Sequence, residues 1–72
     1  MPLANIKVIE GVFTADEKQM MIEKVTDAMV AVEGENIRDK TVVIIEETKS
    51  GNRGVGGTPL TTKHVKGLRH AG

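Results

Sequence analysis

Apolar and polar residues alternate at the start of the chain. Ala4, Ile6 and Val8 share one parity while Asn5 and Lys7 take the other, which predicts a strand over residues 3–10 with one face toward a core. Gly11 interrupts the run. Thr14 and Glu17 then have the spacing of a capping box, in which the hydroxyl accepts from a first-turn amide and the glutamate reaches back. Asp16 and Glu17 also suit the positive end of a helix dipole. Beyond them the period lengthens: Met21, Ile22, Val25, Ala28, Met29 and Val32 recur as one helical face. The spacing predicts a helix from Ala15 to Val32, with Lys18, Glu23, Lys24 and Asp27 on its wetter side. Gly34 terminates it, since glycine tolerates the left-handed backbone of a helix end. Residues 36–40 read as a connector of about one helical turn. Val42, Val43, Ile44 and Ile45 form a β-branched run that predicts a second strand over 41–47, apolar enough to be buried on both faces.

Strand, helix and strand make a βαβ unit with parallel strands and a right-handed crossover. One helix cannot cover both faces of a two-stranded sheet, so the uncovered apolar face predicts a partner subunit. Residues 50–58, SGNRGVGGT, favour a tight hairpin. A phosphate loop is the competing reading, but it requires a helix directly after the glycines, and none is evident. Residues 60–72 read as a polar, basic tail that docks on a neighbour or frays. The expected fold is therefore a small α/β domain over residues 1–72, completed as a sheet by oligomerisation.

Composition supports this. A 72-residue chain buries only about 60% of its unfolded surface. With no cysteine, neither disulfides nor thiolate metal sites can help, which leaves association as the support. The lack of cysteine also fits a reducing compartment. Ten basic and ten acidic residues cancel, which disfavours nucleic-acid binding. Phe13 is the sole aromatic, so there is no platform for base stacking. No apolar stretch approaches the roughly 20 residues of a membrane span, and the start lacks the features of a signal peptide. The expected setting is cytoplasmic, without membrane or nucleic-acid partners.

The candidate chemistry lies at the N-terminus. Met1 is followed by Pro2, and a small second residue lets an aminopeptidase remove the methionine. Pro2 would then carry a secondary amine. An α-amino group titrates at about 7.7–8.0, and burial or nearby cations lower that value. It would suit a general base, which works best near the operating pH. Other residues read as structural. His64 and His70 have no ligand spacing, and Glu46 and Glu47 point to opposite faces of a strand. Met20, Met21 and Met29 suit helix packing. Neither a metal nor a cofactor is expected.

The start MPLANIKVIEG, the βαβ order, the helix-start residues Thr14, Asp16, Glu17 and Lys18, and the late GNRGVGG together resemble the 4-oxalocrotonate tautomerase family, from Pro2 to about Pro59. The resemblance implies βαβ subunits assembled as dimers and hexamers (trimers of dimers), with active sites where subunits meet. Pro2 would move a proton between oxygen and carbon of a small enol or 2-oxo acid. Leu3 and Ile9 would form apolar walls around it.

The chain departs from that pattern at three places. The family's best-known member has arginines where this chain has Val12 and Val42, and an aromatic where it has Arg53. A substrate carboxylate is most often held by arginine in a bidentate pair. Arg53 is the first candidate for that role or for stabilising the enolate, and Arg38 the second. Lys7 reads as a solvated or interface lysine, and Arg69 in the tail comes after these. Tautomerisation is the leading expectation. Hydration or dehalogenation of an unsaturated acid on the same scaffold is an alternative. Another is a non-catalytic subunit, including one in a heteromer whose other chain supplies arginines.

Overall fold

The computed structural model describes residues 2–70. The two expected strands, β1 (Leu3–Ile9) and β2 (Val42–Thr48), pair in parallel, from Leu3 opposite Val42 to Ile9 opposite Thr48. The Val42 amide donates to the Pro2 carbonyl at 3.0 Å at one end, and the Glu10 amide donates to the Thr48 carbonyl at 2.8 Å at the other. Even-numbered residues of β1 therefore turn their backbone groups to β2. The alternation of a strand leaves those of Leu3, Asn5, Lys7 and Ile9 on the opposite edge, where no strand lies among the described residues.

Helix α1 (Ala15–Glu33) joins the two strands and starts as its sequence predicts. The Thr14 hydroxyl accepts from the Glu17 amide at 3.1 Å, and the Glu17 carboxylate accepts from the Thr14 amide at 2.9 Å. Gly34 ends the helix at φ 104°, and the connector forms a 3₁₀ segment, Glu35–Lys40. The packing face differs from the expected one. Val30 is buried, whereas Val32 is 90% exposed. The half-buried Met21, Val25, Thr26 and Met29 share the inward side with Val30, and at 3.6 residues per turn Val32 lies about 160° around the axis from Val30. An apolar stripe of Val25, Ala28, Met29 and Val32 is left lining an open groove of about 500 Å³. Strand β2, expected to be buried on both faces, has no fully buried residue, because a single helix covers a single face.

The glycine-rich segment is the expected hairpin, β3 (Arg53–Val55) with β4 (Thr58–Leu60). Gly56 and Gly57 both have positive φ, as a two-residue turn of type I′ requires. The expected tail is instead a second helix, α2 (Thr62–His70). Its sequence offers few apolar residues and includes Gly67, so it carries little helical signal of its own. Tertiary contacts hold it. The Thr62 hydroxyl donates to the Glu10 carbonyl at 2.7 Å, and the Thr62 amide donates to the Ser50 hydroxyl at 2.9 Å. Gly11 has φ 77°, and a Cβ there would stand 3.0 Å from Thr62 Cγ2, so glycine permits this close approach. At the far end Arg69 Nη1 donates to the Val12 carbonyl at 3.0 Å, and its guanidinium pairs with Glu17 and lies 4.8 Å above the Phe13 ring. Strand β4 separates the glycines from α2, so no phosphate-loop geometry arises.

Burial is sparse. Val8, Ile9, Val12 and Val30 are the buried apolar residues among those described. The radius of gyration is 14.7 Å, against about 11 Å for a compact chain of this length. Ile9, the largest fully buried side chain, is the position where truncation should cost most. Ile9→Ala is expected to lower the unfolding free energy by about 2–5 kcal/mol, measured by urea denaturation at fixed chain concentration.

Glu17 gives a second expectation. The Arg69 guanidinium, with the Thr14 amide behind it, holds its carboxyl down from 4.5 to about 2. A carboxyl depressed in the fold stabilises that fold fully above its unfolded value and loses the effect as pH falls through its folded value. The contribution of this pair to the attachment of α2 should therefore be complete above pH 4.5 and lost on acidification toward about 2, which loosens the helix without removing its other contacts. The amide resonances of α2 report it, and Glu17→Gln should abolish that acid dependence.

Candidate active site

Pro2 stands at the N-terminal end of β1, half-buried, with its carbonyl fixed by the Val42 amide. The start of β2 is itself pinned. The Thr41 amide donates to the Arg38 carbonyl, and the Thr41 hydroxyl bonds the Ile37 carbonyl and the Glu33 carboxylate. Residue 2 is thus held by the end of α1, the 3₁₀ segment and β2 together. Leu3, next to it, is 59% exposed and offers an apolar surface beside the proline. Met1 lies outside the described residues.

The other expected site residues do not gather around Pro2 in the same chain. Ile9 is in the core, at the opposite end of β1, about 23 Å along a seven-residue rise. Within one chain it therefore forms no wall for Pro2. Arg38 is occupied: Nε and Nη2 donate to Glu35 at 2.7 and 3.3 Å, and Nη1 donates to Asp27 at 2.8 Å. These carboxylates hold the guanidinium pKa above its usual range, and Arg38 in turn lowers that of Glu35. Arg38 thus braces α1 against the 3₁₀ segment, with most of its donors already used.

Arg53 lies on β3, half-buried, and Nη2 donates to the Lys7 carbonyl at 2.8 Å. Lys7 is one of the odd-numbered residues of β1, so the hairpin lays this guanidinium along the unpaired edge, about 16 Å from its own Pro2 by strand rise. It borders a shallow cavity of about 440 Å³ with Asn52, Gly54 and Pro59. Val12 is 6% exposed and apolar, and Val42 is half-buried within β2. No cation stands at either of the two positions where the family resemblance leads one to look for it.

A polar cluster around Arg69, which sequence reasoning has only as a remote candidate and does not join to Glu17, Lys66 and His70, lies at the other end of β1. A cavity of about 400 Å³ opens there between Val12, Phe13 and Glu17 on one side and Lys66, Arg69 and His70 on the other. The spacing of the three basic residues, i, i+3 and i+4, is a helical face. It is visible in the sequence only to a reader who already takes residues 62–70 as a helix.

The comparisons with known proteins agree with this architecture. Residues 2–63 match the family described as Tautomerase enzyme. The chain is 46% identical over 62 residues to a Helicobacter pylori protein named "Probable tautomerase", covering 83% of this chain and 90% of that one. It is 36% identical over 61 residues to the 2-hydroxymuconate tautomerase of Bacillus subtilis, covering 85% and 95%. Its fold is similar to the crystal structure of DmpI from Helicobacter pylori, with a TM-score of 0.72 and 43% identity over 82% of this chain and 95% of that one. The parallel βαβ unit, the hairpin and the match beginning at Pro2 lead to one conclusion: the chain belongs to the tautomerase family and is an isomerase of the 4-oxalocrotonate tautomerase kind.

Proposed function

We propose that Pro2, exposed as the N-terminal residue by removal of Met1, is the general acid–base of a cofactor-independent tautomerase acting on a small enol or 2-oxo acid. The observation that carries this reading is the family match beginning at residue 2, with Pro2 held at the head of β1 by the Val42 amide. The neutral secondary amine takes the proton of the enol hydroxyl. As the O–H bond breaks, the carbonyl forms and electron density moves onto carbon. The resulting ammonium returns the proton to that carbon, so the reaction needs no other reactant. The buried Val12 and the half-buried Val42 favour a substrate gripped otherwise than by guanidinium groups at those two positions.

The site in this reading is built by several copies of the chain. The unpaired edge of β1 offers the N–H and C=O groups of four residues, an open template for another strand. A second copy of β1 running antiparallel about a two-fold axis near Ile6 satisfies them on both chains. Such pairing sets Pro2 of one copy beside the turn at Glu10 and Gly11 of the other, with opposed Cα atoms about 5 Å apart. It competes with the Arg53 contact to the Lys7 carbonyl, which frees that guanidinium to stabilise the developing enolate at a neighbouring site. The exposed apolar stripe of α1 and the low compactness of the chain favour further association, up to the hexameric trimer of dimers.

Two measurements test the mechanism. Intact mass should show the chain without Met1. With 2-hydroxymuconate, the substrate in the name of the Bacillus subtilis relative, Pro2→Ala should lower kcat/KM by about 10²–10⁴-fold, the usual worth of a positioned acid–base. Full activity in Pro2→Ala would rule the amine out.

A further inference from the structure

Helix α2 runs on past residue 63, where the family match ends. Its last turns bring Lys66, Arg69 and His70 to the cavity at the β1–α1 junction. Arg69 is the informative group there. Nη1 uses its two N–H groups on the Val12 carbonyl at 3.0 Å and the Glu17 carboxylate at 3.2 Å, and Nη2 uses one on the second Glu17 oxygen. Three of the five guanidinium donors are thereby engaged. The two left over, Nε–H and the second N–H of Nη2, run parallel along one edge of the guanidinium, in its plane. That is the fork that fits a carboxylate bidentately. The guanidinium is oriented by the Glu17 carboxylate at one edge and by the Phe13 ring, 4.8 Å away. Lys66, one turn earlier, makes no hydrogen bond or ion pair among the described residues and lines the same cavity. The lining therefore carries the basic side chains of Lys66, Arg69 and His70 against one carboxylate, Glu17, which suits one carboxylate group of a ligand.

We propose that this junction is a carboxylate-binding site in which the side fork of Arg69, assisted by Lys66, anchors the acid group of the substrate. The proposal deepens the reading given above and rests on it, because strand pairing along β1 sets this junction beside Pro2 of a second copy. Three donors of Arg69 secure α2 to the body of the domain. The remaining two, together with Lys66, add nothing to that attachment and are available to a ligand. On this account the anchoring charge comes from a C-terminal helix, and residue 12 itself stays apolar and buried.

The test separates binding from catalysis. Pyruvate, a small 2-oxo monocarboxylate, is titrated into the ¹⁵N-labelled protein while the Arg69 Nε–Hε resonance is followed. A saturable shift is expected. Arg69→Lys, which keeps the charge and loses the fork, should weaken pyruvate roughly ten-fold, and Lys66→Gln, which disturbs no observed contact, should weaken it several-fold. With 2-hydroxymuconate the same two variants should raise KM by similar factors and leave kcat within about two-fold, the signature of uniform binding. An unmoved Arg69 resonance at saturating pyruvate overturns the proposal, as does an unchanged pyruvate affinity in both variants. The acid–base reading fails separately: Pro2→Ala with full turnover removes the catalytic role of the proline. A persisting Arg69 response in that variant still supports the anchor.

Discussion

A two-stranded parallel sheet under one helix has two unpaired edges and a bare face, and this constraint governs the molecule. Strand β1 is bonded to β2 through its even-numbered residues and leaves the odd-numbered ones unpaired. Helix α1 covers one side of the pair, and only four apolar side chains among the described residues become buried. A chain this short cannot remedy that alone, since surface grows relative to volume as domains shrink. The exposed stripe of α1, the shallow β2 and the long principal axis of 42 Å are consequences of the same deficit. Association with further copies would be a physical remedy, and the site proposed around Pro2 draws on it.

Glu17 links local to tertiary structure. Its carboxylate closes the capping box of α1 and also receives Arg69 from α2. The first function depends on residues three apart and the second on residues fifty-two apart. One carboxylate thereby fixes the start of one helix and the placement of the other. Exposed ion pairs contribute little individually. This one is supported by the backbone contact to Val12, the Phe13 ring and the Thr62 anchor at the opposite end of α2, so that several modest interactions act at one junction.

The position of the candidate charges follows from strand geometry. Residues at opposite ends of β1 are too far apart to meet within a chain, yet antiparallel pairing of two copies exchanges those ends. An arginine that looks remote from Pro2 in one chain is therefore a candidate for the Pro2 of another. Arg38 differs, because Asp27 and Glu35 occupy it locally. Arg53 and Arg69 each keep donors for a ligand.

Local pattern was sufficient for β1, the capped start of α1, the stop at Gly34, β2 and the Gly56–Gly57 hairpin. In each, the governing interactions lie within a few residues or follow a strict period of side-chain direction. Pro2 as the base is a proposal that rests on the Met1–Pro2 start and on the family match from residue 2. Pattern misjudged Val32 against Val30, because which side of an amphipathic helix is buried depends on how it settles on the sheet. It also passed over α2, whose nine residues have weak intrinsic helicity and are held by Glu10, Val12, Glu17 and Ser50, all distant in sequence. The junction built there, with Arg69 oriented by Glu17 and Phe13, exists only once the chain folds back on itself.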